Sequence, residues 1–218
     1  MLIGLTGHAG TGKDSVASVL CAAGWRSIAF ADALRTEISA TWSIDQRLLT
    51  NRAHKEQPVA ALCVGRGNNG NWLRWATMRD RPLSLIEPRS ARWVLQQWGD
   101  FRRAADPNYW VRHVSYWVQY QRQHGAPHLV VTDVRYGNEA FILRGLGGHI
   151  VRVHRPGGTP LTADTAQHSS ERHADLHADA DIANDSTLAA LGAEVWRVVE
   201  QLASQTAPTH PNGDPTHA

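Results

Sequence analysis

The sequence predicts an α/β protein built on a doubly wound, five-stranded parallel sheet. Short apolar runs alternate with segments of helical periodicity along most of the 218 residues. The first apolar run, at 1–6, leads through a glycine-rich loop into a helical segment. A second run, at 128–133, is apolar until it ends in an acid, as expected of a strand buried on both faces. Ligands of such sheets bind beyond the carboxyl ends of the strands, so functional residues should lie there.

The loop at 7–15 matches the phosphate-binding pattern G-x-x-x-x-G-K-[ST] except at its last position. Glycines allow a tight turn, and the following helix start directs backbone N–H groups at one point, where a polyphosphate can bind. Lys13 adds a positive charge for the outer phosphates. The predicted phosphate-binding residues are Gly7, His8, Ala9, Gly10, Thr11, Gly12, Lys13, Asp14 and Ser15.

The departure from the pattern concerns the metal. The residue after the lysine normally offers a hydroxyl to Mg²⁺. Here that residue is Asp14, and the hydroxyl is displaced to Ser15. Asp14 could bind the metal directly or through water, or Ser15 could replace the usual hydroxyl, and the sequence leaves these alternatives open. Asp133, at the end of an apolar strand, is placed like an acid that holds Mg²⁺ or its water shell.

The composition favours one domain in a reducing compartment. The chain is long enough for one core with an inserted cap, but too short for two full α/β domains. Its net charge is +2 and its arginines are spread out, which suits scattered phosphate contacts better than stable nucleic-acid binding. Two cysteines cannot build a disulfide framework. No signal peptide or membrane span is expected, so the predicted location is the cytoplasm.

In the first half of the chain, we expect a helix that ends at Gly24, a strand at 25–31, and a second helix that ends near Trp42. Asp32 is expected to cap the second helix, which carries Arg35. An acid and an arginine at the end of a strand also suit the wall of a second binding site. An ordinary cap beside a solvated arginine is the alternative.

The pattern weakens after residue 43, and we expect a helical cap that spans about 32–125. A cluster of glycines and asparagines at 65–71 favours turns and predicts a long loop within the cap. Helical periodicity returns at 90–98 and is expected to break at 99–103. A further helix should run from about Tyr109 to near Gly125.

The second half of the chain returns to the alternation that the sheet requires. The expected elements are strands at 128–133, 149–155 and 181–185, and helices at 138–146 and 188–202. The polar, histidine-rich segment at 156–179 is expected to form a lid. Residues 204–218 hold three prolines and predict a disordered tail, so the domain should span 1–203.

Phosphoryl transfer requires positive charge along the transferred phosphate. Arg135 and Arg155 follow two strands on the predicted ligand side, while Arg102 and Arg103 come from the cap. The planar guanidinium group suits two-point contacts with phosphate oxygens. Four arginines around one cleft would serve two phosphorylated ligands better than one, although a surface salt bridge is the alternative for each arginine.

Several segments occur in the same order as in one known family. They are 7–15, 30–35, 55–56, 95–103 with 109–111, 133–135 with 138–139, 152–156, 168–171 and 181–185. In these segments the chain resembles the phage deoxynucleoside monophosphate kinases. No single segment is specific, but their collinear order is.

The resemblance implies a P-loop kinase fold with a helical cap for the nucleoside monophosphate (NMP) and a lid. It implies ATP as donor, a deoxynucleoside 5′-monophosphate as acceptor, Mg²⁺, and a diphosphate product. The implied residues of the monophosphate side are Asp32, Arg35, Arg102 and Arg103, and Gln96 and Gln97 are further candidates for substrate binding. Arg155 would lie on the donor or lid side and Asn184 near the donor base.

With these residues, the expected catalytic set is Lys13, Asp133, Arg135 and Arg155. The expected metal set is Asp14, Ser15 and Asp133. The location would be the host cytoplasm if a phage encodes the chain. The base preference, the choice between ribose and deoxyribose, and the oligomeric state stay open, with a homodimer as one alternative.

Two other functions stay open. The first is a kinase for another small phosphorylated acceptor, because dephospho-coenzyme A kinases share the expected fold and a similar strand-Asn-Asp ending. Phosphomevalonate kinases also carry aspartate after the loop lysine. The cap arginines, with Gln96 or Gln97, favour a nucleotide.

The second alternative is a metal-binding or interaction module in the predicted lid. Its candidate ligands are His168, His173, Asp175, His177 and Asp179. His173 and His177 would share one face of a helix, which is a spacing found in metal sites. A solvated polar lid explains the same residues without a metal.

Overall fold

Five parallel strands form the central sheet of the computed structural model, which describes residues 1–51, 55–79, 82–156 and 176–206. The strands in chain order are β1 (Leu2–Thr6), β2 (Arg26–Ile28), β3 (Pro58–Val59), β4 (Arg89–Ser90), β5 (Leu129–Val131), β6 (Gly148–His154) and β7 (Ala180–Ala183). The order across the sheet is β2-β5-β1-β6-β7, and every pairing is parallel. Strands β3 and β4 form a separate antiparallel pair within the cap.

Helices cover both faces of this sheet. They are α1 (Lys13–Ala22), α2 (Phe30–Trp42), α3 (Arg47–Thr50), α4 (Gly70–Arg79), α5 (Ala91–Ala105), α6 (Tyr109–Gln123), α7 (Gly137–Gly145) and α8 (Leu188–Thr206). Helices α1 and α8 contribute to the apolar cluster on one face, and α2, α4, α5, α6 and α7 contribute to the cluster on the other. The predicted doubly wound α/β fold is therefore confirmed.

The central strand β1 shows why the sheet needs helices on both sides. All of its residues are buried. Leu2 packs into the cap-side cluster with Leu129, whereas Ile3 and Leu5 pack into the opposite cluster with Val130. Successive side chains of a strand point to opposite faces, so an uninterrupted apolar strand has to be covered twice.

Tryptophan side chains form the centre of the cap. The ring centroids of Trp42 in α2, Trp72 in α4 and Trp98 in α5 lie 5.4–5.6 Å from one another. Trp72 and Trp98 are fully buried. Aromatic pairs of this kind add about 0.5–1.5 kcal/mol each beyond the burial of their area. Aromatic packing therefore joins α2, α4 and α5.

The glycine and asparagine cluster at 65–71 does not form the long loop that was expected. A 3₁₀ turn spans Val64–Arg66, and α4 begins at Gly70. Asn69 caps this helix, because its Oδ1 accepts a hydrogen bond of 2.9 Å from the Trp72 amide. The burial of Trp72 compensates for the weak helix propensity of the first residues.

The helix break expected at 99–103 is also absent, since α5 runs through it to Ala105. Val94, Trp98 and Phe101 are buried on one side of α5, and this apolar side continues past Gly99. At the other end of the chain, α8 continues to Thr206, beyond the expected end at Leu202. Residues 157–175 of the expected lid and 207–218 of the expected tail lie outside the described residues.

Helix α2 begins at Phe30, before the expected cap at Asp32. The carboxylate of Asp133, from the turn after β5, accepts hydrogen bonds from the amides of Phe30 at 2.6 Å and Ala31 at 3.1 Å. Asp32 supports the same end, since its Oδ2 accepts a bond of 2.8 Å from the Ala29 amide. Asp133 therefore attaches the first cap helix to the central sheet. Among the described helices, none is both long and apolar enough to cross a membrane.

Replacing Asp133 by alanine should lower the free energy of unfolding by about 1–2 kcal/mol, because two amides at the start of α2 lose their partner. Urea denaturation measures the change. Asp45→Ala is a matched control, since Asp45 Oδ1 accepts a bond of 2.8 Å from the Arg47 amide at an exposed position. The control should cost less, and equal losses would contradict the assigned role of Asp133.

Candidate active site

A cleft of about 790 Å³ opens at the carboxyl ends of the strands, between the phosphate loop and the cap. Most of the residues predicted from the sequence line it. They are Ala9, Gly10, Gly12, Lys13, Asp14, Ser15, Asp32, Arg35, Gln96, Arg103, Asp133, Arg135, Arg155 and Asn184. The cleft places the predicted donor and acceptor residues around one continuous space.

The phosphate loop adopts a backbone conformation that requires glycine at two positions. Gly7 has φ of 133° and Gly12 has φ of 103°. A Cβ atom on Gly7 would lie 2.2 Å from the carbonyl oxygen of Val153, and one on Gly12 would lie 2.2 Å from Nδ2 of Asn184. Both glycines therefore permit a turn and a close approach that other residues would prevent.

Lys13 and Asn184 hold the two sides of this loop. Lys13 Nζ donates hydrogen bonds to the carbonyl oxygens of Gly7 at 2.6 Å and His8 at 2.7 Å. Asn184 Nδ2 donates to the Thr11 carbonyl oxygen at 2.9 Å, and the Asn184 amide donates to His154 at 2.8 Å. The exit from β7 therefore packs directly against the loop, although 173 positions separate Asn184 from Thr11.

Oxygen atoms that could bind Mg²⁺ lie at the start of α1. Asp14 is exposed, Ser15 is half-buried, and both line the cleft. Magnesium is commonly held by one or two carboxylates together with substrate phosphates and water, so these residues fit that ion. Asp133 also lines the cleft, but both of its oxygens already accept bonds from α2. Burial raises the pKa of Asp133, an effect that Arg135 and these two amides oppose.

The alternative metal site in the lid can be compared with the structure only in part. His168, His173 and Asp175 lie outside the described residues. Asp179 has a structural role, because its Oδ2 accepts a bond of 2.6 Å from the Ile150 amide and its carboxylate pairs with Arg144. Within the described ranges, no group of three or more His, Cys, Asp or Glu side chains could hold a metal ion.

Helix α5 supplies the cap side of the cleft through one stripe of residues. Arg92, Gln96 and Arg103 line the cleft at helical spacing. Gly99 lies in the same stripe, where an added Cβ would be 3.0 Å from Nη1 of Arg103. The small residue therefore leaves room for the Arg103 guanidinium group. Gln97 belongs to another side of α5 and is not a lining residue.

Arg102 also lies outside the cleft lining, although it neighbours Arg103 in sequence. Its Nε donates to Glu37 at 2.8 Å, and its guanidinium carbon lies 4.9 Å from the centre of the Tyr109 ring. Glu37 also accepts from Trp98 Nε1 at 2.9 Å and from the Tyr109 hydroxyl. Arg102 thus connects α2, α5 and α6 inside the cap, whereas the sequence reasoning placed it at the acceptor.

Lys55 and Arg92 are cleft residues to which the sequence reasoning assigned no role. Burial lowers the pKa of the Lys55 ammonium group, and the positive charges of Arg92, Arg135 and Arg35 lower it further. Glu56 opposes this effect on Lys55 and pairs with Arg92, and an anion in the cleft would relieve the remaining repulsion. The available sequence signal was the rarity of lysine, since the chain has only two.

Arg35 provides a further indication of an anion site. Its Nη1 pairs with Asp32 at 2.7 Å, while its Nε is buried without a hydrogen-bond partner among the described residues. A buried donor of this kind is uncommon in folded proteins and suggests a ligand. A phosphate oxygen in the cleft would be a suitable partner.

Glu139 is a buried acid at the same end of the cleft that the sequence did not identify as a site residue. It is 2% exposed, and its carboxylate accepts bonds from the amides of Arg135 at 2.8 Å and Tyr136 at 3.1 Å. Arg103 Nη2 lies 3.4 Å from the same carboxylate. Burial raises the pKa of Glu139 to about 7, against the opposing effect of Arg103 and the two amides.

Sequence comparison finds two viral relatives. The chain is 35% identical over 109 residues to the uncharacterised protein ORF77 of Ictalurid herpesvirus 1 (strain Auburn). The aligned segment covers 48% of this chain and 46% of that protein. It thus spans about half the length of that relative. The chain is also 25% identical over 161 residues to a "Putative deoxynucleotide monophosphate kinase" of Acanthamoeba polyphaga mimivirus. This aligned segment covers 72% of this chain and 75% of that protein. No protein-family model matches the chain.

Comparison with solved structures finds kinases at low sequence identity. A dephospho-CoA kinase from Campylobacter jejuni has a TM-score of 0.49 at 11% identity, covering 92% of this chain and 96% of its own. A sugar kinase from Janibacter has a TM-score of 0.46 at 14% identity, covering 95% and 98%. These likenesses are too distant to carry an argument about activity. The resemblance predicted from the motifs is confirmed as a similarity to the mimivirus protein.

The neighbouring arginines of α5 should respond differently to substitution. Arg103→Met removes a cation from the cleft, so the KM for an acceptor phosphate should rise about ten- to hundredfold. Arg102→Met should instead lower the free energy of unfolding by about 1–3 kcal/mol and change that KM less than about twofold. Steady-state kinetics and urea denaturation of both variants measure these effects. A larger KM effect from Arg102 would place it at the acceptor after all.

Glu139 should make the stability depend on pH. Its pKa in the folded protein is about 7, above the ordinary value of 4.5, so its contribution to stability is present below pH 4.5 and lost as the pH rises through 7. The free energy of unfolding of the wild type should therefore fall by about 3 kcal/mol relative to Glu139→Gln over this window.

Urea denaturation at several pH values tests this dependence. Glu37→Gln is the matched control, since Glu37 accepts bonds from Arg102, Trp98 and Tyr109 away from the cleft. This control should retain the wild-type pH dependence. A Glu139→Gln variant that also retains it would show that Glu139 is not the titrating group.

Proposed function

We propose that the protein is a deoxynucleoside monophosphate kinase, which transfers a phosphoryl group from ATP to a deoxynucleoside 5′-monophosphate with the help of Mg²⁺. The observation that carries this proposal is that cations from two parts of the fold line one cleft. Lys13 lines it from the phosphate loop, and Arg35, Lys55, Arg92 and Arg103 line it from the cap. Two phosphorylated ligands in one cleft fit this distribution better than one.

At the donor end, the phosphate loop is suited to the triphosphate of ATP. Its N–H groups and the start of α1 favour negative charge, and Lys13 supplies a full positive charge beside them. Arg155 lines the same cleft from the exit of β6 and is exposed, so it can approach the donor phosphates. Asn184 supports the loop through its bond to Thr11, and the resemblance to the phage kinases implies that it lies near the donor base.

At the acceptor end, the cleft offers a charged part and an apolar part. Lys55, Arg35, Arg92 and Arg103 would hold the phosphate, since all four line the cleft and an anion would relieve the repulsion of Lys55 by Arg92 and Arg35. The apolar lining suits a nucleobase, and it consists of Ile28, Phe30, Leu34, Leu49, Leu95 and Trp110. The Gln96 amide lies in this lining and can both donate and accept hydrogen bonds with a base edge.

The transfer itself depends on positioning and charge. Arg135 lines the cleft after β5, and it would stabilise the negative charge that develops on the transferred phosphoryl group. Asp14 and Ser15 would hold Mg²⁺, and Asp133, just after β5, would be a third residue of the metal site. When bound, this ion would neutralise charge on the donor phosphates. The mimivirus relative, whose name describes a deoxynucleotide monophosphate kinase, supports the choice of acceptor.

A coupled ADP-release assay with ATP and Mg²⁺ tests the function. The acceptor panel consists of the four deoxynucleoside monophosphates, their ribose forms and dephospho-coenzyme A. Turnover with at least one deoxynucleotide is expected. Activity only on dephospho-coenzyme A would contradict the proposal and assign the chain to the alternative kinase class, and no activity on any acceptor would contradict both.

Lys13→Ala should reduce turnover at least about a hundredfold, because it removes a charge from the donor phosphates. Circular dichroism and the unfolding midpoint should change little, since Lys13 is half-buried and its ammonium group bonds to carbonyl oxygens of the phosphate loop rather than to the apolar core. Unchanged turnover in a folded Lys13→Ala protein would contradict the kinase assignment.

A further inference from the structure

Glu139 is unusual among the acids of the cleft because it is buried. Within the described part of the chain, it is the only charged side chain among the buried residues. A glutamate in the first turn of a helix can stabilise that helix from an exposed position, where its charge remains hydrated. Burying a carboxylate costs free energy unless its partners compensate. The partners of Glu139 therefore indicate what its burial achieves.

These partners belong to two different parts of the cleft wall. Arg103 comes from α5 in the cap, while the amides of Arg135 and Tyr136 belong to the turn that follows β5. The Arg103 guanidinium carbon also lies 4.0 Å from the centre of the Tyr136 ring. Arg103 and Arg135 both line the cleft. One carboxylate thus contacts an arginine of the cap and the backbone of a second arginine that follows the sheet.

We propose that Glu139 is a positioning residue for acceptor binding. Its carboxylate keeps Arg103 of the cap and Arg135 of the sheet edge in one relative arrangement. This inference rests on the proposed function, because it assigns Arg103 to the acceptor phosphate. Because Glu139 is only 2% exposed, we assign it no direct contact with the substrate, although it borders the cleft. It acts through the two arginines, and the protonation state of its carboxylate adjusts how firmly Arg103 is held.

The charge on Glu139 should couple acceptor binding to pH. The groups that face it are Arg103 from α5, and Asp133 with the Arg135 and Tyr136 amides from the turn. Its pKa of about 7 means that the carboxylate gains a proton in slightly acidic solution. The ion pair with Arg103 is then lost. The KM for the acceptor should therefore rise as the pH falls through 7, while the KM for ATP should not follow this change.

A double-mutant cycle tests the inference. The variants are Glu139→Gln, Arg103→Lys and the combination, assayed from pH 5.5 to 9 with the best acceptor of the panel. Glu139→Gln should raise the acceptor KM about tenfold at pH 8, which corresponds to about 1.4 kcal/mol, with little change in the KM for ATP. The acceptor KM of the double variant should be about equal to that of the more impaired single variant, because both substitutions disturb the same contact.

The pH profile separates Glu139 from the acceptor, whose phosphate titrates in the same range. Glu139→Gln should remove the part of the acidic rise in KM that Glu139 causes and keep the part that the substrate causes. Glu37→Gln is the control for a general loss of cap packing, and its effect should add to that of Arg103→Lys. Additive effects of Glu139→Gln and Arg103→Lys, or an unchanged pH profile in Glu139→Gln, would overturn the inference.

Sulfate binding keeps this test independent of the proposed function. Sulfate remains a dianion from pH 5.5 to 9, and Lys13→Ala weakens competing binding at the phosphate loop. In that background, calorimetry should show weaker sulfate binding below pH 7, and Glu139→Gln should abolish this weakening. If the wild type turned over no deoxynucleotide but sulfate behaved in this way, the proposed function would fail and the positioning role would stand. Sulfate binding with no dependence on Glu139 would overturn the positioning role.

Discussion

Two carboxylates that follow β5 attach the helical cap to the central sheet. Asp133 accepts hydrogen bonds from the first amides of α2, and Glu139 contacts Arg103 of α5. Both acids belong to the polypeptide that leaves one buried strand, so the cap is fixed relative to the carboxyl edge where ligands bind. The shape of the cleft depends on this attachment, since the cap and the sheet edge form its opposite walls.

The charges around the cleft explain why the attachment uses carboxylates. Burial lowers the pKa of Lys55, and Arg92, Arg135 and Arg35 lie close enough to lower it further, against the opposing effect of Glu56. Without nearby negative charge, these cationic side chains would repel one another when no phosphate is bound. The acids reduce this repulsion while they hold the backbone in place. A phosphorylated ligand can then supply the remaining negative charge, which couples its binding to the arrangement of the cap.

Features encoded by neighbouring residues could be predicted from the sequence, including the phosphate loop, the main strands and the convergence of Asp133 and Arg135. Contacts between distant segments could not. Asp133 caps α2 across 103 positions of sequence, and the cap is held by tryptophans whose partners the periodicity does not reveal. Interpreting Gly99 as a helix break also concealed that Gln96 and Arg103 share one face of α5. A prediction of one continuous helix would have placed Arg102 and Arg103 on different sides of α5.

The most direct test of a single cleft that holds both substrates is the binding of a bisubstrate ligand, adenosine joined to a deoxynucleoside through five phosphates. One molecule should bind per chain, more tightly than ATP or the monophosphate, and it should compete with both. Lys13→Ala and Arg103→Met should each weaken it in calorimetry. Competition with only one substrate, or two molecules bound per chain, would show that the two ligands do not share the cleft.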